Sequence, residues 1–182
     1  HVGTVLKMNA KNYPEKLGWQ DKQQEYTFQE RNERACRMAN GLSALGIGPQ
    51  DTLAVISYNR GEWMDCYAGC AKGGQVVVPV MFRLAGPEIE YMVNHAGCKG
   101  FLVEAPFVER INGIRERLDI PDGNFIYLGD GPVPDGYIGY EAFLEQASSR
   151  EPRTDVHGSD PWTIMYTSGT TGRPKEIGRA HV

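Results

Sequence analysis

The chain has 182 residues, of which 41% are apolar, so it suits one domain with a sizeable core or the first part of a larger domain. The net charge is −4 and no basic stretch is long, which argues against nucleic acid as a partner. The sequence also has no signal-peptide pattern and no apolar run long enough for a transmembrane segment.

The chain contains four cysteines, Cys36, Cys66, Cys70 and Cys98. They form no Cys-x-x-Cys pair, and no histidine stands at zinc-ligand spacing from them. We therefore expect small buried apolar side chains rather than a metal or redox centre, and a reducing, cytoplasmic location.

The first part of the chain predicts a helix, a small hairpin and a longer helix. Val5–Tyr13 is expected to be a short helix that ends before a proline, and Lys16–Gln20 pairs with Gln24–Thr27 as the hairpin. Thr27 then opens the longer helix, and Glu30, three residues later, completes a capping box. The apolar residues of this helix recur at helical spacing, at Phe28, Ala35, Met38, Ala39, Leu42 and Leu45.

Short apolar runs and amphipathic segments alternate in the rest of the chain. The runs predict buried strands at Leu53–Ile56, Val76–Val78, Phe101–Val103 and Phe125–Leu128. Helices are predicted near 59–73, 86–96, 107–118 and 140–147, and the Gly- and Pro-rich stretch 129–139 is predicted as an exposed loop. This order predicts an α/β fold with a partly parallel sheet and helices on both faces.

Several single residues are expected to have structural rather than chemical roles. Asn59 is predicted to cap the helix that follows it, with Glu62 at the third position. The inner face of that helix is predicted at Trp63, Met64, Tyr67, Ala68 and Ala71. Arg83 is expected to have an ion-pair or surface role, and Asp160-Pro161 is expected to form a turn before the next strand. His95 is expected at a helix end and His157 in a loop.

A strand predicted at Trp162–Tyr166 leads into the most informative segment, Thr167–Lys175. Gly169 and Gly172 can adopt positive φ, so consecutive N–H groups can form a nest for an anion. Lys175 adds a mobile positive charge, and donors to phosphate oxygens are available from Thr167, Ser168, Thr170 and Thr171. The segment is expected outside the carboxyl end of the sheet, where open α/β sheets bind ligands.

Two alternatives to a phosphate-binding segment of this kind exist. A Walker A loop needs a second glycine directly before its lysine and a hydroxyl residue directly after it. Pro174 and Glu176 occupy these positions, so the Walker A pattern does not fit. A Ser/Thr/Gly-rich surface turn without a ligand remains the other alternative.

At Tyr166–Lys175 the chain resembles the acyl-adenylate-forming superfamily of AMP-binding enzymes, which includes acyl-CoA synthetases, peptide-synthetase adenylation domains and luciferases. Three upstream segments, Tyr26–Glu30, Gly46–Pro49 and Ala71–Gly74, also look like the family, in its usual order. The resemblance implies that residues 1–176 are the first part of the large N-terminal domain of such an enzyme.

The resemblance implies a two-step reaction, most like that of acyl-CoA synthetases. A carboxylic acid, fatty or aryl, attacks the α-phosphate of ATP with Mg2+, and coenzyme A then takes the acyl group from the adenylate. The phosphates of ATP would be held by Thr167, Ser168, Gly169, Thr170, Thr171, Gly172 and Lys175. No catalytic residue and no metal ligand is assigned within this chain.

The same resemblance places the adenine, ribose and magnesium sites and the catalytic lysine after Lys175, so the chain by itself is expected to be inactive. Two other functions stay open. One is an adenylation domain that loads a carrier protein, and the other is a non-catalytic nucleotide-binding remnant. The identity of the acid and the oligomeric state are not predicted.

The last residues depart from the family pattern. Glu176 stands where the resemblance implies glycine, and Ile177–Val182 is what a widely used short-read sequencing adapter encodes when it is translated. A glycine codon that kept its first base, followed by the adapter bases ag, reads gag and gives glutamate. We therefore expect 177–182 to be an adapter-derived tail, which is excluded from fold reasoning. A genuine divergent ending is the alternative.

Overall fold

The computed structural model describes residues 2–21, 24–167 and 175–181. For Thr167 and for 175–181 it describes the backbone. Helix α1 (Val2–Asn12) precedes an antiparallel hairpin of β1 (Leu17–Gln20) and β2 (Glu25–Thr27). Helix α2 (Phe28–Ala44) follows at once. The predicted order of helix, hairpin and helix is confirmed.

The capping box at the start of α2 is formed as predicted. The N–H of Glu30 donates to Thr27 Oγ1 at 3.2 Å, and the N–H of Thr27 donates to Glu30 Oε2 at 2.8 Å. These two hydrogen bonds give a partner to two backbone N–H groups, one in the first turn of the helix and one at its N-cap. After the helix, Gly46 has a φ of +78°, a conformation that glycine adopts at little cost.

Within the described part of the chain, the main sheet has seven strands and is parallel except at one edge. Its strands are β3 (Thr52–Ile56), β4 (Val76–Pro79), β5 (Cys98–Glu104), β6 (Phe125–Leu128), β7 (Ile138–Gly139), β8 (Pro161–Thr167) and β9 (Lys175–His181). The spatial order is β7-β6-β5-β3-β4-β8-β9. The β8–β9 pair is antiparallel, and the other pairs among these strands are parallel. This confirms the predicted α/β class and its partly parallel sheet.

Helices cover both faces of this sheet, each over its own core. One face carries α4 (Gly86–His95) and the short α5 (Val108–Asn112), packed on side chains such as Val76 and Phe101. The other face carries α2, α3 (Glu62–Gly73) and α6 (Tyr140–Gln146). Neighbouring residues of a strand enter opposite cores, as the two-residue period of a strand requires.

Two predicted helices differ from the structure. α3 begins at Glu62 after Gly61, with no side-chain cap, so Asn59 does not cap it. The helix predicted near 107–118 is interrupted: α5 ends at Asn112, and a 3₁₀ turn follows at Arg115–Arg117. Gly113, a poor helix former, stands at the interruption.

Two further predictions need correction. Met64 is 49% exposed and Trp63 is half-buried, because the buried side of α3 is the row that contains Cys66 and Cys70. The stretch 129–139 is mostly a loop, but its last two residues form β7 beside β6.

The four cysteines are free and buried, as predicted for apolar packing residues. Within the described residues, none of the helices combines the length and the apolar character needed to cross a membrane.

Candidate functional site

Strand β8 places the start of the glycine-rich segment at one edge of the sheet. Its pairing with β4 joins Val77 to Thr163, and Thr163 Oγ1 donates to the carbonyl of Val77 at 2.9 Å. The two strands are parallel, so their carboxyl ends share an edge. Thr167, the last residue of β8, therefore lies at the carboxyl edge, the usual location of ligands in such sheets.

The two ends of the candidate phosphate-binding segment meet in an antiparallel pair. Thr167 is paired with Lys175, and Tyr166 with Glu176. The chain therefore leaves the sheet after Thr167 and re-enters it at Lys175, beside the same position. The predicted phosphate ligands Ser168, Gly169, Thr170, Thr171 and Gly172 lie outside the described residues, as do the side chains of Thr167 and Lys175.

Side chains tie β8 to both helix layers. Trp162 Nε1 donates to the carbonyl of Tyr67 on α3 at 2.8 Å. On the other face, Nδ1 of His95 and the hydroxyl of Tyr166 lie 2.7 Å apart and share a hydrogen bond. His95 is thus at a helix end, as predicted, and it also contacts the residue that precedes Thr167.

Glu104 organises the turn that follows β3 at the same edge. This buried carboxylate ends β5 and accepts hydrogen bonds from Ser57 Oγ at 3.0 Å, from the N–H of Tyr58 at 2.6 Å and from Arg60 Nη1 at 3.2 Å. Arg60 also pairs with Glu62 at 2.7 Å, and this hydrogen bond raises the pKa of its guanidinium. Glu104 is not among the residues predicted from the sequence to be functional. The signal available was an acidic residue directly after a buried apolar run.

Two neighbouring clefts of about 370 and 620 Å³ open beside this turn, and both are lined by Trp19, Asn59, Arg60 and Gly61. The smaller cleft is polar, and its arginines already pair with carboxylates. The larger cleft adds the aromatic side chains Trp63 and Tyr67, with Met64 and Pro79. The smaller cleft offers hydrogen bonds, and the larger one offers apolar contact surface.

Arg83, His157 and Asp160 lie at surface or turn positions, where structural rather than chemical roles were expected. Arg83 is exposed and lies over the ring of Phe82, 5.5 Å from its centroid. His157 is in an exposed loop, where its backbone N–H donates to Asp160 Oδ2 at 2.8 Å. Asp160 therefore closes the turn before β8, as predicted.

Within the described residues, we find no group of three or more His, Cys, Asp or Glu that could hold a metal ion. The magnesium expected with ATP therefore stays a prediction, and nothing among the described side chains is assigned to it.

The sequence profile of the AMP-binding enzyme family matches residues 6–181. The chain is 37% identical over 158 residues to the long-chain-fatty-acid–CoA ligase FadD13 of Mycobacterium tuberculosis, an alignment that covers 85% of this chain and 29% of that protein. It is 36% identical over 140 residues to the indoleacetate–CoA ligase of Aromatoleum aromaticum, which covers 76% of this chain and 27% of the relative.

The fold is similar to solved structures of the same kind. The crystal structure of the anthranilate CoA ligase AuaEII in complex with anthranoyl-AMP superposes with a TM-score of 0.91 at 26% identity, over 99% of this chain and 34% of that chain. The present chain thus spans 29% and 27% of the two curated relatives and about a third of this structure.

Proposed function

Since this chain belongs to the AMP-binding enzyme family, we propose that the intact protein is an ATP-dependent carboxylate–CoA ligase. In the first step a carboxylate oxygen attacks the α-phosphate of ATP, which gives acyl-adenylate and releases pyrophosphate. In the second step the thiol of coenzyme A attacks the acyl carbon and releases AMP. The proposal is supported by the ligase relatives and by the phosphate-binding pattern of 167–175.

The observation that carries the proposal is the pairing of Thr167 with Lys175 at the carboxyl edge of the sheet. This pairing brings the end of β8, which directly precedes the hydroxyl-rich segment, beside the start of β9 at Lys175. Pyrophosphate gains negative charge as it leaves, so N–H groups, hydroxyls and an ammonium group stabilise the transition state. The proposed ligands are Thr167, Ser168, Gly169, Thr170, Thr171, Gly172 and Lys175.

We propose a fatty or aryl carboxylic acid as the substrate. The two curated relatives are named for a long-chain fatty acid and for indoleacetate, and AuaEII for anthranilate, so both chemical classes occur among similar proteins. Mg2+ would accompany ATP as its counter-ion. The site of action would be the cytoplasm, where ATP and reduced thiols are available.

The test is carboxylate-dependent ATP–pyrophosphate exchange by the intact protein, across matched series of fatty and aryl acids. Exchange with one class, followed by AMP release and thioester formation with coenzyme A, would support the ligase. Exchange followed by transfer only to a carrier-protein thiol would favour the adenylation-domain alternative. Absence of exchange with every acid would contradict both.

The chain of 182 residues is proposed to be inactive by itself. A phosphate-binding loop without the adenine, ribose and magnesium sites implied by the family resemblance should bind ATP weakly. Carboxylate-dependent exchange by this polypeptide alone would contradict the proposal.

We further propose that residues 177–182 do not belong to the natural protein. Strand β9 includes residues of this stretch, but backbone pairing tolerates many sequences, so the pairing does not bear on their origin. Sequencing of the source DNA is the test. A glycine codon at position 176 with a different continuation supports the proposal, and codons for Ile177–Val182 in genomic DNA contradict it.

A further inference from the structure

A hydrogen bond joins the end of helix α4 to the end of strand β8. His95 Nδ1 lies 2.7 Å from the hydroxyl oxygen of Tyr166, although the two residues are 71 positions apart. Their rings meet edge to face, with centroids 5.8 Å apart and planes at 82°. Tyr166 is followed directly by Thr167, where the candidate phosphate-binding segment begins. The contact therefore lies at the base of that segment.

The histidine side of this contact is held by a well-anchored helix. Tyr91, one turn earlier on α4, stacks on the imidazole with centroids 5.5 Å apart and planes at 29°. The opposite side of α4 is fixed in the core by Ile89, Met92 and Val93, each at most 1% exposed. His95 thus presents its ring nitrogen from a rigid element, which is what precise placement of a partner requires.

The tyrosine side lies beyond the point at which β8 is paired with β4. That pairing joins Val77 to Thr163, three residues before Tyr166. Farther along, the backbone of Tyr166 pairs with Glu176 of β9. The side chain of Tyr166 packs against the same core that holds α4. A bond to His95 therefore fastens the last part of β8 to the helix layer.

We propose that His95 is a positioning residue, which acts through Tyr166 to fix the end of β8, the point from which the candidate phosphate-binding segment continues. The inference rests on the proposed function. A phenol oxygen both donates and accepts, so either tautomer of the imidazole can keep the bond. Small displacements of a group that contacts the reacting phosphates lower the reaction rate, because the reaction depends on exact placement.

Three substitutions in the intact protein test the role. His95→Phe keeps a ring for Tyr91 to stack on but removes the hydrogen bond, and Tyr166→Phe removes the hydroxyl. His95→Asn restores a polar atom close to the place of Nδ1. The matched control is His157→Phe, which exchanges the same residue types at a side chain that is 69% exposed.

The expected result is a loss confined to adenylate formation. His95→Phe and Tyr166→Phe should each lower kcat/KM for ATP by about 3- to 10-fold, as the loss of one modest hydrogen bond would do. The double variant should lose no more than either single variant, since both remove the same bond. His95→Asn should recover most of the rate, and His157→Phe should match the wild type. Transfer of preformed acyl-adenylate to coenzyme A should be unchanged in all of them.

Two outcomes would overturn the inference: losses that add in the double variant, and equal losses in the adenylation and transfer steps. If the wild type shows no ATP–pyrophosphate exchange, the proposed function fails. A second measurement then decides whether His95 positions the end of β8. Amide hydrogen exchange at Tyr166 and Thr167 should then be faster in His95→Phe and Tyr166→Phe, and unchanged at Ala54 in the middle of the sheet. Unchanged amide hydrogen exchange at Tyr166, Thr167 and Ala54 alike would contradict the positioning role.

Discussion

Arg31 Nη1 lies 2.7 Å from Asp65 Oδ1, and the two side chains are only 5% and 2% exposed. The other oxygen of the carboxylate accepts hydrogen bonds from Arg34 Nε at 2.8 Å and from the hydroxyl of Tyr140 at 3.0 Å. One buried carboxylate thus joins three helices, α2, α3 and α6, on one face of the sheet.

Replacement of this carboxylate should strongly destabilise the domain. Asp65→Ala leaves the buried guanidinium of Arg31 without its partner, and we expect the free energy of unfolding to fall by about 3–5 kcal/mol. The measurement is urea unfolding of the intact protein followed by tryptophan fluorescence. Glu141→Gln is the control, since Glu141 also pairs with Arg34 but is 60% exposed, and it should cost less than about 1 kcal/mol. Equal losses in the two variants would contradict the assignment.

The second prediction concerns pH and the pair of Glu151 with Lys72. Glu151 accepts hydrogen bonds from Lys72 Nζ at 2.9 Å and from Asn32 Nδ2 at 2.8 Å. Burial acts to raise the pKa of this carboxyl, but the hydrogen bonds from Asn32 and Lys72 and the charge of Lys72 outweigh burial and lower the pKa below its ordinary value of 4.5. The folded state therefore holds Glu151 ionised more firmly than the unfolded chain does.

The sign of the effect follows from this lowered pKa. The stabilisation that ionised Glu151 gives the folded state is present above its ordinary pKa of 4.5. This stabilisation is lost as the pH falls through the lowered pKa of Glu151 in the folded state. Wild-type protein should therefore lose stability more steeply below this pH than Glu151→Gln does. Urea unfolding from pH 7 to pH 3 measures both slopes. Identical slopes would mean that the pair does not couple folding to protonation.

The four cysteines should resist modification in the folded protein. Burial raises the pKa of Cys36 to about 11 and the pKa values of Cys70 and Cys98 to about 12, and it raises that of Cys66 as well. The thiolate is the reactive form, so little of it is present at pH 8. Iodoacetamide labelling, read by peptide mass spectrometry, should leave all four unmodified in buffer and label all four in guanidinium chloride. Rapid labelling of any of them in buffer would contradict their burial.

The charge of Lys175 should matter for one half-reaction. Lys175→Ala should slow adenylate formation by roughly 10- to 1,000-fold if the charge is worth about 1.4–4 kcal/mol in the transition state. Transfer from preformed acyl-adenylate to coenzyme A should change little, because pyrophosphate has already left. Lys99→Ala is the control, since this half-exposed lysine lies near the start of β5, at the opposite edge of the sheet. Equal losses in the two half-reactions would give Lys175 a structural role instead.

Some features could be predicted because their causes are local. The capping box of Thr27 and Glu30 involves residues three apart, and the sequence of 167–175 carries its pattern within nine positions. The prediction for Met64 was wrong because the rotation of α3 about its axis depends on which row of side chains the sheet accepts. The helix predicted through Gly113 was also wrong, because a glycine in a helix interior is unfavourable and α5 ends directly before it.

The sequence by itself determined the α/β class, most of the succession of helices and strands, and the pattern of residues at 167–175 that predicts phosphate binding, since each depends on periodicity or on neighbouring residues. Only the tertiary structure decided the strand order and the partners of its polar groups. Asp65 meets Arg31 from 34 positions away, Glu104 meets the N–H of Tyr58 from 46, and His95 meets Tyr166 from 71. Such pairs form because the sheet brings distant strand and helix ends together, and no local pattern in the chain encodes which ends become neighbours.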